Sequence, residues 1–179
     1  RLIQQVLEFR KVESGNLKIC VSYGDISSFL RSCAEAFIAL LGKRRQLLSF
    51  ESTPDIIFGF FDADKLDKIV YNLLSNAAKY TPEGGQICVR AALADEYTLQ
   101  IDVTNTGELM TQKTIDGLFK RFYEGDYRRH NTIGTGIGLA LVKDLVALHH
   151  GTIEAFSNEQ TGNCFRIMLP VDKETYRQE

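Results

Sequence analysis

Apolar residues recur at three- and four-residue spacing in some stretches of this chain and alternate with polar ones in others. The clearest helical stretch is 64–80, DKLDKIVYNLLSNAAKY, where Leu66, Ile69, Val70, Leu73, Leu74 and Ala77 line one side. On another side Asn72 and Asn76 lie one turn apart, and Lys79 and Tyr80 continue that side a turn later. Asparagine is a mediocre helix former because its side chain competes for backbone groups. Two of them facing one way predict a need for amide oxygens there, a hard, neutral donor suited to Mg²⁺ already neutralised by phosphates. The plainer alternative is a helix with one solvated side.

The rest of the pattern alternates strands and helices. Residues 1–13 read as the end of an amphipathic helix, stopped at Gly15. LKICVSY (17–23) reads as a strand, and Asp25 caps a helix beginning at Ile26. QLLSFES and DIIFGFF read as strands flanking Thr53-Pro54, and Asp62 or Asp64 opens the asparagine helix. QICVRAAL and YTLQIDVTN form a hairpin around Ala94-Asp95-Glu96, followed by a short helix within 111–122. Leu139–His150 is a helix ended by Gly151, TIEAFS and NCFRIML make a last hairpin, and a charged tail frays from Asp172. The sum is an α+β chain with a mixed or antiparallel sheet and helices on one face.

At 179 residues the chain fits one domain, and 44% hydrophobic with 25% charged residues is ordinary for a globular protein. A formal net charge of −2 argues against a broad nucleic-acid surface, so no nucleic-acid partner is expected. The four cysteines are scattered without CxxC spacing, which fits reduced thiols rather than zinc or disulfides. The chain opens without Met inside a helical pattern, as a piece of something longer would.

Chemistry gathers at a few places. Gly134-Thr135-Gly136-Ile137-Gly138 precedes a strong helix, where side-chain-less backbone and unpaired N–H groups suit a phosphate; a plain hinge is the alternative. No Gly-Lys-Ser/Thr follows, which excludes a Walker-type loop. Asn105-Thr106-Gly107 could offer polar groups to a base edge or simply form a turn. Leu118–Tyr123 sets aromatics around Lys120 and Arg121; it reads as core packing, although Arg121 could reach a terminal phosphate. Arg128, Arg129 and His130 read as solvated loop residues. His149 and His150 sit at a helix end, where a cation suits the dipole, and are not read as metal ligands.

In this order the segments resemble the catalytic ATP-binding domain of sensor histidine kinases. NLLSNAAKYTPEGG resembles the N box, NTGELM stands where the first glycine box belongs, LFKRFYEGD is similar to the phenylalanine box, and GTGIGLALVKDLVALHHGTI to the second glycine box. EFRKVESGNL is similar to the end of the family's dimerisation helix, and the NTG variant points to the hybrid sensor branch.

The resemblance implies a Bergerat-type α/β sandwich with a mobile ATP lid over residues 123–135. It divides the chain into a dimerisation-helix end at 1–14, a catalytic domain at 15–172 and a tail at 173–179. ATP and Mg²⁺ are the implied cofactors. By position Asn76 ligates the metal, Asn72 contacts phosphate or the metal shell, Lys79 reaches a phosphate and Tyr80 lies against adenine. Asn72, Lys79 and Arg121 are the implied catalytic residues. Asn105, Gly107, Leu109, Phe122, Gly134, Thr135, Gly136, Ile137, Gly138 and Leu139 complete the nucleotide site. The implied partners are histidine-bearing dimerisation helices of the same protein, a second copy, and a response-regulator receiver domain. The implied setting is the cytoplasmic side of a membrane-bound sensor.

Departures from the family pattern carry their own expectations. Asn105 replaces an aspartate that accepts the adenine amino hydrogen, and losing charge assistance costs about 1 kcal/mol, or roughly fivefold in affinity. Leu109 replaces a glycine, at a cost on the order of 1–2 kcal/mol if the backbone there is left-handed. Ile133 replaces another glycine. Hydrolysing relatives place a glutamate where this chain has Asn72, and an amide cannot deprotonate water. A non-catalytic interaction module of the same fold is the remaining alternative.

Overall fold

The computed structural model describes Leu7, Arg10 and residues 17–41, 44–120 and 138–177. The elements run β1 (Ser22–Asp25), α1 (Ile26–Leu41), β2 (Leu47–Thr53), β3 (Phe58–Phe61), α2 (Ala63–Tyr80), β4 (Gln86–Asp95), β5 (Thr98–Asn105), α3 (Gln112–Gly117), α4 (Gly138–Leu148), β6 (Thr152–Asn158) and β7 (Gly162–Pro170), then a 3₁₀ turn at Glu174–Tyr176. The expected helix end over 1–14 lies almost wholly outside the described residues.

Five strands form one sheet in the order β2-β4-β5-β7-β6. The β2–β4 pair is parallel and the other pairs are antiparallel, so the sheet is mixed and mostly antiparallel as expected. Alternation along β5 sends Leu99, Ile101, Val103 and Asn105 to the buried face. There they join Ile87 and Val89 of β4, Phe165 and Ile167 of β7, and apolar residues of α1, α2 and α4 in one core. Leu66, Ile69 and Leu73 of α2 and Leu145 of α4 are fully buried. Each such side chain stabilises the fold by about 1.5–3 kcal/mol.

The opposite face of the sheet is polar and carries a row of alternating charge. Glu51, Arg90, Asp102, Arg166 and Glu154 are successive cross-strand partners from one edge to the other. Arg90 Nε meets Glu51 at 2.8 Å, and Arg166 holds both oxygens of Asp102 at 2.9 and 3.0 Å.

Several expected elements come out differently. The strand expected over 17–23 moves along the chain to β1, and the one expected over 55–61 shortens to β3; the two form an antiparallel pair outside the main sheet. The lost residues serve α1 and α2 instead. Ile57 O accepts the first amide of α1, Asp55 O accepts the Ser27 hydroxyl, and Cys20 N–H donates to Asp62. Asp25 caps α1 as expected, accepting from Ser28 N and Ser28 Oγ at 3.2 and 2.8 Å. The hairpin turn falls at Glu96-Tyr97, because Asp95 still pairs with Thr98.

The tail does not fray at Asp172. Tyr176 is buried, and its hydroxyl donates to His149 O at 2.9 Å and Pro170 O at 2.6 Å, giving the charged segment an anchor. Gly151 also acts otherwise than expected. The left-handed residue ending α4 is His150 (φ 56°), whereas a Cβ on Gly151 would stand 2.3 Å from Met168 O.

Candidate nucleotide site

Helix α2 is the element from which the site is built. Its first turn is held by Asp62, whose carboxylate accepts from Lys65 N at 3.1 Å, Lys65 Nζ at 3.0 Å and Cys20 N at 2.8 Å. Burial opposes ionisation of Asp62, but these bonds from Cys20 and Lys65 outweigh it and hold the carboxyl below its usual range. His149 closes this cluster from the end of α4. Its Nδ1 donates to Leu145 O at 2.9 Å, while its Nε2 accepts from Asp62 N at 3.4 Å. The ring is therefore neutral, and burial pushes its pKa down. The dipole-stabilised cation expected at His149 is absent, because the side chain is completely enclosed and one nitrogen must accept.

Two turns further along α2, Asn72 is 8% exposed, so a solvated side is ruled out at this position. Its Nδ2 donates to Lys68 O at 2.7 Å. Its Oδ1 faces Gly138, the first residue of α4, where an added Cβ would stand 3.2 Å away. The asparagine helix and the end of the glycine-rich stretch thus meet at one amide oxygen. Asn76, Lys79 and Tyr80 follow, all half-buried. Leu139 is half-buried against the core.

At the C-terminal end of α2 the chain crosses the end of β5. Gly107 has φ 139°, and a Cβ there would come within 2.9 Å of Tyr80 O. Only glycine permits that approach. Asn105 is buried at the last position of β5, with Nδ2 donating to Thr106 O at 3.0 Å. Leu109 is exposed and not left-handed, so the strain anticipated from replacing a glycine does not arise. The final carbonyls of α2 are satisfied from a distance. Arg44 and Gln46 both donate to Ala78 O, at 2.6 and 3.0 Å, and Gln46 also donates to Thr81 O at 2.6 Å.

Arg121, Phe122, Gly134, Thr135, Gly136 and Ile137 lie outside the described residues, as do the expected lid at 123–135 and Arg128, Arg129 and His130. Just before them Phe119 packs edge-on to Phe165 at 6.2 Å and Leu118 is buried, which fits the core reading of that segment. An open groove of about 810 Å³ crosses the polar face of the sheet over Ser49, Cys88, Thr104 and Cys164. Asn105, Gly107 and Leu109 line one end of it, whereas none of Asn72, Asn76 or Lys79 does. Burial drives the Cys164 thiol up to about 12, which makes it an inert part of that floor.

Among the described residues no cluster of His, Cys, Asp and Glu could hold a metal ion. A cation at α2 would rest on amide oxygen and on the phosphates of its own ligand. The donor set and the side-chain-less positions at Gly107 and Gly138 fit a magnesium–nucleotide group.

Residues 61–173 match the profile of the family described as histidine kinase-, DNA gyrase B-, and HSP90-like ATPase. The chain belongs to that family. It is a catalytic ATP-binding domain of the sensor histidine kinase type. It is 32% identical to Histidine kinase P4 of Formosa agariphila over 97% of this chain and 13% of that protein. It is 30% identical to Sensor histidine kinase WalK of Bacillus subtilis over 97% of this chain and 29% of that protein. The chain therefore spans less than a third of the length of these curated relatives. Among solved structures, the catalytic domain of histidine kinase ThkA superposes with TM-score 0.78 at 21% identity, covering 88% of this chain and 99% of that one. Full-length ShkA in complex with AMPPNP gives TM-score 0.84 at 23% identity over 96% of this chain and 35% of that one. At these identities the superpositions establish the fold.

Sequence reasoning singled out the asparagines and glycines of this histidine-kinase-type domain. It placed the helix opening at Asp62 or Asp64, and Asp62 is the cap, but it missed the pairing of Asp62 with Lys65, Cys20 and His149, the roles of Arg44 and Gln46, and the side chains of Ser157 and Asn163. Apart from the i,i+3 pair of Asp62 and Lys65, the first two groups act across more than thirty residues, where no spacing rule reaches. Asn163 left one signal, a polar residue at a strand position whose neighbours alternate into the core.

Proposed function

We propose that this chain is the catalytic part of a sensor histidine kinase, transferring the γ-phosphoryl group of ATP to a histidine on a dimerisation helix elsewhere in the parent protein. The observation that carries the reading is the meeting of Asn72 Oδ1 with Gly138. It places the amide-bearing side of α2 against the start of a helix, where phosphate is favoured.

In this reading Asn76 and Asn72 hold Mg²⁺ and its shell, Lys79 and Arg121 neutralise phosphate charge, and Tyr80, Asn105 and Gly107 hold the base. Leu109, Phe122 and Leu139 border the nucleotide, and Gly134–Gly138 admits the phosphates beneath a lid at 123–135. Catalysis rests on positioning and charge neutralisation. Asn72 cannot act as a base for water, which favours transfer over hydrolysis. The parent protein acts as a homodimer paired through its dimerisation helices, and a response-regulator receiver accepts the phosphoryl group afterwards. A ThkA structure in complex with the response regulator TrrA, TM-score 0.77, supports that partner class. The hybrid architecture and a cytoplasmic position beneath a membrane-bound sensor belong to the same proposal; no helix among the described residues is long and apolar enough to cross a membrane.

The test is titration of a fluorescent ATP analogue with and without Mg²⁺. The native chain should bind more tightly with Mg²⁺, and Asn76→Ala should lose that gain, about tenfold or ~1.4 kcal/mol. Equal binding by both proteins, or none by either, would overturn the reading. The isolated chain should show little phosphohistidine.

A further inference from the structure

The segment from Asn105 to Met110 carries the base side of the proposed site, and it is fastened along its length. Thr106 N donates to Gln86 O at 3.0 Å, and Thr106 Oγ1 accepts from Gln86 N at 2.9 Å. Gly107 lies against Tyr80 O. Beyond that point the fastening comes from β6 and β7. Asn163 Nδ2 donates to Glu108 O at 2.9 Å, and Asn163 Oδ1 accepts from Met110 N at 3.2 Å. Ser157, the cross-strand partner of Asn163, donates to that same Oδ1 at 2.6 Å and accepts from Met110 N at 3.0 Å.

One amide therefore grips the segment on both sides of Leu109, reading a carbonyl before it and an N–H after it. Asn163 is 2% exposed. Apolar residues would satisfy neither backbone group, so the polar pair has a specific task. Gly162 lets the grip close, since a Cβ there would stand 2.6 Å from Asn105 O. Leu109 needs no left-handed backbone, so a segment poor in glycine is kept in one shape by side chains from the neighbouring hairpin.

We propose that Asn163, oriented by Ser157, is a positioning residue for nucleotide-base recognition: it fixes Glu108 and Met110 so that Asn105 and Gly107 are presented in one geometry. This rests on the nucleotide reading above. Asn163 acts through the segment and is not assigned a contact with the ligand.

The experiment measures, by calorimetry on the whole chain, the affinities for Mg²⁺-ATP and for Mg²⁺-tripolyphosphate, which has phosphates but no base. Asn163→Ala should weaken ATP roughly five- to tenfold, the scale of one or two buried hydrogen bonds, and leave tripolyphosphate within about twofold. Ser157→Ala, a milder change should Asn163→Ala fail to fold, should weaken ATP about threefold with the same selectivity. Amide exchange at Met110 should quicken in either variant. Parallel losses for both ligands, or an unchanged ATP affinity in a folded variant, would overturn the inference. A native chain that binds neither ligand would instead overturn the nucleotide reading itself.

Discussion

Both ends of α2 are polar, and they treat their polar groups in opposite ways. At the N-terminal end Asp62, Lys65, Cys20 N–H and His149 are paired with one another inside the protein. From Asn72 onward glycine approaches polar atoms as well: Gly138 faces the Asn72 amide oxygen, whose amide nitrogen donates to Lys68 O, and Gly107 faces the Tyr80 backbone carbonyl. A buried polar group answered by another polar group fixes structure. A glycine beside a polar atom keeps side-chain bulk away from it. The first cluster holds the fold, and under the proposed function the second borders the nucleotide, although both lie on one helix.

That division can be broken most forcefully at Asp62. Asp62→Ala removes the helix cap and leaves Lys65 Nζ buried without its counter-charge, an expected loss of about 3–5 kcal/mol in urea unfolding. A loss under about 1 kcal/mol would mean that the cluster does not hold the fold. Gly107→Ala comes next, because a Cβ must enter a backbone contact at an unfavourable φ. A cost of about 1–3 kcal/mol is expected, with weakened ATP-analogue binding even where the variant remains folded. Unchanged binding would move Gly107 from the ligand cluster to a purely structural role.

The smallest effect concerns pH. His149 faces Asp62, whose charge favours protonation, and Lys65 and His150, whose charges oppose it, but burial dominates and depresses its pKa below the ordinary 6.5. The unfolded chain then binds the proton more readily than the folded one. Stability from this group is complete above pH 6.5 and declines as pH falls below it. Thermal unfolding between pH 7 and pH 5 should show a fall on the order of 1 kcal/mol that flattens in His149→Gln. An identical slope in both proteins would assign the pH dependence to other groups.

Much of this contrast was legible in the amino-acid order. The period of Leu66, Ile69 and Leu73 marks α2, and the off-stripe Asn72 and Asn76 mark it as unusual, because helix spacing alone puts them on one side. Gly138, the described end of the glycine stretch, is legible for the same local reason. The structural cluster was not. His149 sits beside a second histidine at a helix end, which reads as solvated until folding encloses it against Asp62, 87 residues away. The DIIFGFF run carries strand propensity throughout, yet Ile57 is drawn off to α1, a tertiary demand invisible to propensity. Asn163 escaped because its partners lie 53 and 55 residues back.

The charge row on the open face reaches both outer strands with the same sign: Glu51 on β2 and Glu154 on β6. Two copies of the domain approaching border to border in matching alignment would bring carboxylate against carboxylate. Within the sheet, meanwhile, displacing any inner strand by two positions would strand an arginine opposite an uncharged neighbour. A single line of five side chains thus discourages fusion of neighbouring sheets and penalises misalignment within one.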